Sequence, residues 1–223
     1  MYVPARFRES RPEVLAAAVR DIRLAALVTP GGEDGGLQVS HAPVVLREDA
    51  PGCGPEGWTL ETHVARPNPH WRIADAASVP TVAIFQGPQH YVSPSWYASK
   101  REHGRVVPTW TYVVVHCHGT LEAVHDRGWL LRHLDDLTAA GEAGREHPWA
   151  VSDAPPDFVE GLARAIVGLR LRVARAEGAW KMNQHRPEAD RAGTIAGLAA
   201  EPRGAAVAEV MRALEAARPR ADA

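Results

Sequence analysis

Short segments of alternating apolar and polar residues, each closed by glycine or proline, run through most of the chain and leave it few ways to fold. Leu24 to Thr29 reads as a strand, Gly31, Gly32, Gly35 and Gly36 mark a turn, and Leu37 to Leu46 returns as its partner. Asp49 to Gly57 is a Pro- and Gly-rich loop, and Trp58 to Val64 alternates as the next strand. Thr81 to Phe85 is a buried strand closed by Gly87-Pro88. Val107-Pro108 leads into a long strand from Trp110 to about Val124. Leu169, Leu171 and Val173 form one face of a last strand, with Arg170 and Arg172 on the other. About six strands with turn signals, flanked by helices, imply a mainly β, α+β chain: an antiparallel barrel decorated with helices.

The helices carry their own punctuation. Ser10-Arg11-Pro12-Glu13 reads as a capping box ahead of Val14, Leu15, Ala18, Val19 and Ile22. Asn68-Pro69 opens a short helix, with Asn as N-cap and Pro at the first helical position. A longer helix is predicted from Asp126 to about Ala140. Pro155 or Pro156 opens another through Leu162 to Val167, which Gly168 ends. Glu188 to Ala217 is helical in composition with a break near Pro202-Arg203-Gly204, and Arg218 to Ala223 should fray.

Composition removes several classes of function. Apolar residues make up 45% and charged residues 23%, so a packed core is expected. With 25 basic and 27 acidic side chains the formal net charge is -2, which lacks the basic excess of a protein that grips DNA through its phosphates. No helix-turn-helix is evident either, so direct DNA binding is not expected. No apolar run reaches the roughly 18 residues of a membrane span. Met1 to Ser10 carries Arg6 and Arg8 but no apolar stretch, so no signal peptide is expected. Cys53 and Cys117 are the only cysteines, without a Cys-x-x-Cys, which fits a reducing cytosol better than a disulfide framework or zinc ribbon. The 11 His residues keep metal or haem ligation open.

Four clusters could carry chemistry. His63-Val64-Ala65-Arg66-Pro67-Asn68-Pro69-His70-Trp71 ends a strand and enters a helix N-terminus, where free N–H groups favour an anion and Arg66 adds a bidentate donor. Phe85 to Tyr97 combines Gly and Pro bends with Tyr91, Trp96 and Tyr97, flat faces that suit a planar ring, with Ser93 and Ser95 as polar contacts. In Val107 to Gly119, Tyr112, Val114, His116 and His118 share a strand face, so both His rings could reach one metal, although no third ligand is identifiable. In Trp180 to Pro187, Lys181, Gln184 and Arg186 are three polar donors that could hold a phosphate or a propionate. Taken singly, each cluster also fits a plain alternative: a capped strand end, an aromatic plug, a solvated His pair, a basic turn. No Gly-rich phosphate loop, G-x-S-x-G elbow or His-Glu-x-x-His helix is present, and Asp135-Asp136 reads as surface charge.

In this order the clusters resemble the PaiB family. The resemblance rests on Met1-Tyr2-Val3-Pro4 with Phe7, His63 to Trp71, Phe85 to Pro88 with Tyr91 to Tyr97, Val107 to Tyr112, Trp149 to Pro155, Ile166 to Gly168, and Lys181 to Arg186 with Asp190 and Gly197-Leu198. It covers roughly residues 1 to 200. It implies an FMN-binding-like split β-barrel with peripheral helices, residues 1–200 as the cofactor-binding domain and 201–223 as a C-terminal helical tail. It also implies a homodimer with cofactor sites at the subunit interface. Members are usually described as FMN-binding negative transcriptional regulators. The family also holds haem-dependent piperazate synthases, which form an N–N bond and share the pattern matched by His63, Arg66, Asn68, Pro69, His70 and Trp71. The sequence departs from the family's usual residues at Thr62 (Gly), Pro67 (Ala), Thr111 (Asn), Asn183 (Ser) and His185 (Asn), which leaves room for an altered ligand.

The resemblance therefore implies haem b or FMN as cofactor and a small-molecule ligand or substrate as partner. The His-rich strand face and altered tail favour haem, and the family's usual description favours FMN. The cofactor-binding set is His63, Arg66, Asn68, Ser93, Trp96, Tyr97, Thr109, Trp110, Lys181, Gln184 and Arg186. In the haem enzyme reading His63 is the iron ligand and, with Arg66, a catalytic residue. His116, His118 and His185 are the other axial candidates. In the flavin oxidoreductase reading Arg66, Lys181, Gln184 and Arg186 hold the phosphate, and Trp96 or Trp110 flanks the ring.

Overall fold

A computed structural model describes residues 1–32 and 35–218. Among these residues the strands are β1 (Arg8–Glu9), β2 (Leu24–Pro30), β3 (Leu37–Pro43), β4 (Val45–Glu48), β5 (Trp58–Ala65), β6 (Val79–Val92), β7 (Thr109–Val124) and β8 (Ile166–Lys181). The helices are α1 (Pro12–Ile22), α2 (His70–Ala76), α3 (Ser99–Glu102), α4 (Arg127–Glu142), α5 (Pro156–Ala163), α6 (Glu188–Ala200) and α7 (Ala205–Ala216). None of the described helices is long and apolar enough to cross a membrane. The chain divides into two compact units, a larger one of Ser10–Phe85 and Val115–Glu177 and a smaller one of Met1–Glu9, Gln86–Val114 and Gly178 onward.

The strands of the sheet follow the order β3-β2-β6-β7-β8-β5-β4. β2 and β3 form the predicted hairpin, antiparallel from Leu24 opposite Pro43 to Pro30 opposite Leu37. β5 runs antiparallel to β8 with His63 opposite Gly168 and Ala65 opposite Ile166. Period-two alternation sends Ala25 and Leu27, Trp58, Leu60 and Val64, and Leu169, Leu171 and Val173 into the core. Leu15, Ala16 and Val19 of α1 are buried with them, at the spacing of one helix face. Each buried Leu or Val contributes about 1.5–3 kcal/mol relative to exposure. A chain of polar groups crosses this apolar region: Thr81 to Thr29 at 2.7 Å, Thr29 to His70 Nε2 at 2.7 Å, and His70 Nδ1 to Ser40 at 3.0 Å. Asn68 Nδ2 donates to the same Ser40 hydroxyl at 3.0 Å, and Asn68 Oδ1 accepts from the His70 backbone N–H at 2.9 Å. Every member is hydrogen-bonded, which is the condition for burying such a chain without a large penalty.

In the smaller unit β1 pairs with the end of β8, Arg8 opposite Ala179 and Glu9 opposite Gly178. Its core is Val113, Met182, Leu198, Val207, Ala208 and Met211, with Trp96 packed against it. A Cβ on Gly197 would lie 2.3 Å from Trp96 Cδ2, and one on Gly193 would lie 2.0 Å from the Trp96 carbonyl oxygen. These two glycines on α6 give Trp96 its seat. The last helix belongs to this core, because its Val207, Ala208 and Met211 are buried.

Several boundaries differ from the sequence reading. α1 starts at Pro12 with Arg11 as N-cap, because proline takes the first helical position and pushes the cap one residue past Ser10. β6 passes straight through Gly87-Pro88 instead of stopping there, as a strand can where a ladder N–H is not needed. Gly168 lies inside β8, and α5 ends earlier, at Ala163. The predicted fraying concerns residues that, beyond Arg218, lie outside the described ones.

Candidate functional site

The alternation of β5 has a second consequence. With Trp58, Leu60, Thr62 and Val64 turned inward, Glu61, His63 and Ala65 face the other way. Opposite His63 the neighbouring strand has Gly168. A Cβ there would lie 2.3 Å from Trp129 Cζ3, so the missing side chain admits the Trp129 indole against the sheet. Trp129 is held by its own helix start: Asp126 caps α4 by accepting the Trp129 N–H at 2.6 Å. One turn on, His133 stacks on that indole, centroids 5.2 Å apart and planes 13° apart. His133 Nε2 then lies 3.1 Å from His63 Nδ1. Trp129 Nε1 donates to Glu61 at 3.2 Å, and Arg47 donates to the other oxygen of Glu61 at 3.0 Å while also pairing with Asp136.

The rest of the His63 ring borders an apolar cavity of about 470 Å³. Ala65, Leu134, Val151, Phe158, Leu162 and Ile166 are among its walls, and His63 is the one titratable side chain among the lining residues. Trp149, Phe158 and Leu162 are about half exposed, at 49%, 58% and 54%, so the cavity opens to the surface through large apolar side chains. Apolar surface left open around one polar group is the usual build of a small-molecule site. Burial pushes the pKa of His63 down. Burial, then the neighbouring His63 and Arg47, push His133 down to about 4. Both rings are therefore neutral at pH 7. Since Nδ1 of His63 is engaged with His133, Nε2 is the nitrogen left to bind anything in the cavity. That arrangement puts a proton on His133 Nδ1, a buried atom with no hydrogen-bond partner among the described residues.

The other candidates in this unit hold the backbone. Arg66 Nε donates to the Arg164 carbonyl at 2.9 Å and Nη2 to the Ile166 carbonyl at 3.2 Å, clamping the end of β5 to the start of β8. Asn68 is used within the buried polar chain, and both ring nitrogens of His70 are taken up there. Thr62, where the family usually has Gly, is buried and donates to the Pro43 carbonyl at 2.6 Å.

The smaller unit gathers the remaining candidates. Ser93 accepts from the Ser95 N–H at 3.2 Å, and Trp96 lies against the α6 glycines. Tyr97 is buried, and its hydroxyl accepts from Asn183 Nδ2 at 3.2 Å. Thr109 opens β7, and Trp110 donates to Gln89 at 3.1 Å beside a small cavity of about 210 Å³ that Gln86, Tyr112 and Val114 also line. Gln184 folds onto its own turn: its Oε1 accepts from the Met182 N–H at 2.7 Å and its Nε2 donates to the Trp180 carbonyl. Asn183, at φ 57°, supplies the left-handed residue this turn needs. Lys181 lies over the Tyr112 ring at 5.8 Å and Arg186 over Tyr97 at 4.8 Å, with Arg186 Nε buried and unpartnered among the described residues. Thr111 donates to the His90 carbonyl at 2.9 Å, and His185 packs edge-on to Phe7 at 5.6 Å.

Sequence reasoning missed His133, Trp129, Glu61 and Arg47. A faint signal was present: Trp129 and His133 stand four apart on a predicted helix, and so share one face.

Comparison with known proteins agrees with this architecture. Residues 1–175 match the family described as "Putative FMN-binding domain". The protease synthase and sporulation protein PAI 2 of Bacillus subtilis is 29% identical, covering 95% of this chain and 96% of that protein. An uncharacterised Aspergillus fumigatus protein is 31% identical over 89% of this chain and 90% of its own length. The chain belongs to this FMN-binding-domain family. Among solved structures, a FAD and haem binding protein from Mycobacterium smegmatis superposes with a TM-score of 0.55 at 16% identity, over 78% of this chain and 73% of that one. The flavocytochrome Anf3 from Azotobacter vinelandii gives 0.50 at 14% identity, over 86% and 78%. The fold is thus the split barrel.

Proposed function

We propose that this protein binds haem in the His63 cavity, with Nε2 of His63 as iron ligand, and acts on a small N-oxygenated substrate. The observation that carries the reading is a neutral imidazole, oriented by a second imidazole, as the only titratable group lining an otherwise apolar cavity. That donor set fits haem, whose ring wants apolar walls and whose iron takes neutral imidazole. It suits FMN less, because a flavin offers no metal for the neutral imidazole to bind. The names of two structural neighbours, one a FAD and haem binding protein and one a flavocytochrome, support a planar redox cofactor on this fold.

Haem iron would supply polarisation of an N–O bond, which no side chain here can provide. The protein's part is to bind and orient. His133 holds the His63 proton on Nδ1 and thereby fixes the ring's tautomer and direction. Phe158, Leu162 and Trp149 give the cavity its apolar outer walls. Arg66 fixes the strand end that bears His63 by clamping it to the start of β8. For an N-hydroxylated diamine the balanced reaction breaks N–O, forms N–N and releases water, with no external oxidant. The spectrum of the freshly purified protein tests the cofactor: a Soret band is expected, and flavin absorbance in its place would overturn the assignment. A second copy of the chain would cover the exposed Trp149, Phe158 and Leu162, and light scattering should then report a dimer.

A flavin-binding regulator is the second reading. It is favoured by Arg186, whose buried Nε lacks a partner among the described residues near Lys181 in sequence. Tight FMN uptake by the haem-free chain, together with a sequence-specific gel shift at physiological salt, would establish it.

A further inference from the structure

His116 and His118 sit on one face of β7, two residues apart, and β7 neighbours β8 in the sheet. The close approach of the two strands depends on Gly119, where a Cβ would lie 2.0 Å from the Arg172 carbonyl oxygen. Across that approach Glu177 of β8 meets His118, with Nε2 to Oε1 at 3.0 Å. One ligand atom from each of His116, His118 and Glu177 lies within 4.8 Å of the others. The two imidazoles are tilted at 57° with centroids 6.1 Å apart, so they converge without stacking.

We propose that His116, His118 and Glu177 form a binding site for a divalent transition-metal ion of the zinc type, separate from the His63 cavity. Two imidazole nitrogens and a carboxylate oxygen are a common zinc donor set, and three protein ligands leave a coordination position open. Zinc bonds of about 2 Å hold tetrahedral ligands roughly 3.3 Å apart, so the group closes by an ångström or so on binding. The three side chains are only partly buried and have room to make that adjustment. Cys117, between the two histidines, points to the opposite face and is fully buried, out of reach of the group. The site is therefore a nitrogen and oxygen site, not a thiolate one. Binding requires His118 to give up the Nε2 proton it shares with Glu177 and keep one on Nδ1. Arg175 also donates to Glu177, at 2.9 Å, which orients the carboxylate and opposes the ion's charge.

Calorimetric titration of the chelator-treated full chain with Zn²⁺ tests the site, with circular dichroism confirming the fold of each variant. The wild type should bind one more equivalent than the His116→Gln, His118→Gln double variant. Glu177→Gln, which keeps both rings, should bind at least about tenfold more weakly. Co²⁺ substitution should give visible d–d bands in the wild type that the double variant lacks. Equal stoichiometry in wild type and double variant overturns the proposal. So does an unchanged Zn²⁺ affinity in Glu177→Gln, which remains decisive if the double variant does not fold.

Discussion

Replacing His133 by Phe should flatten the acid limb of the protein's stability curve. The ring is 1% exposed, stacked on Trp129 and hydrogen-bonded to His63. Burial first, and then His63 and Arg47, take its pKa from 6.5 down to about 4. An unfolded chain would return it to roughly 6.5. The unfolded state therefore binds the proton more readily than the folded one. The stability held by the neutral ring is complete above pH 6.5 and is lost as pH falls toward 4. Between pH 7.5 and pH 4.5 this one ring should cost the wild type about 2–3 kcal/mol. Phe keeps a ring against Trp129 but has nothing to protonate. It leaves His63 Nδ1 without its partner, so the variant should start about 1–3 kcal/mol less stable at pH 7.5. The informative quantity is the change between the two pH values, in which the carboxylates common to both proteins cancel. Urea unfolding at both pH values measures it. If His133→Phe loses as much stability on acidification as the wild type, His133 is not a neutral buried ring and the orientation of His63 loses its basis.

Three further outcomes follow from the same geometry. Gly168→Ala puts a Cβ 2.3 Å from Trp129, and should cost about 1–3 kcal/mol in urea unfolding and alter the near-ultraviolet signal of that indole. Thr29→Val leaves His70 and Thr81 short of a partner inside the core, and should cost about 1–3 kcal/mol by the same assay, whereas a neutral result would mean water enters there. Cys117, buried with its thiol pushed to about 12, should ignore a thiol reagent until the chain unfolds, while the partly exposed Cys53 reacts in the native protein, as timed mass spectrometry would show.

Much of the scaffold could be read from residue order, because alternation and turn residues act locally. The β2–β3 hairpin, β5, β7 and α4 fall close to their predicted spans. The failures occur where a distant residue decides. Gly168 resembles a helix stop, yet its missing side chain is required by Trp129, which is remote in sequence. Gly87-Pro88 resembles a strand end, yet the strand continues through it. The site was legible in part. His63 is a candidate by its cluster, but the partner that orients it lies on α4, 70 positions away. Asn68 and Gln184 read as ligand-binding donors by type, and the structure spends both on local backbone and hydroxyl partners. The third member of the His116 and His118 group could not be seen, because Glu177 joins it only through strand pairing.

The proposed haem site makes His63 Nε2 the iron ligand in an apolar cavity. Titrating haem-free His63→Gly with hemin, with and without added imidazole, tests it most directly. A weak, poorly defined Soret band is expected without imidazole, with recovery of the wild-type spectrum when imidazole fills the vacated ring position. A variant whose spectrum matches the wild type without imidazole would place the iron on another residue and overturn the assignment of His63.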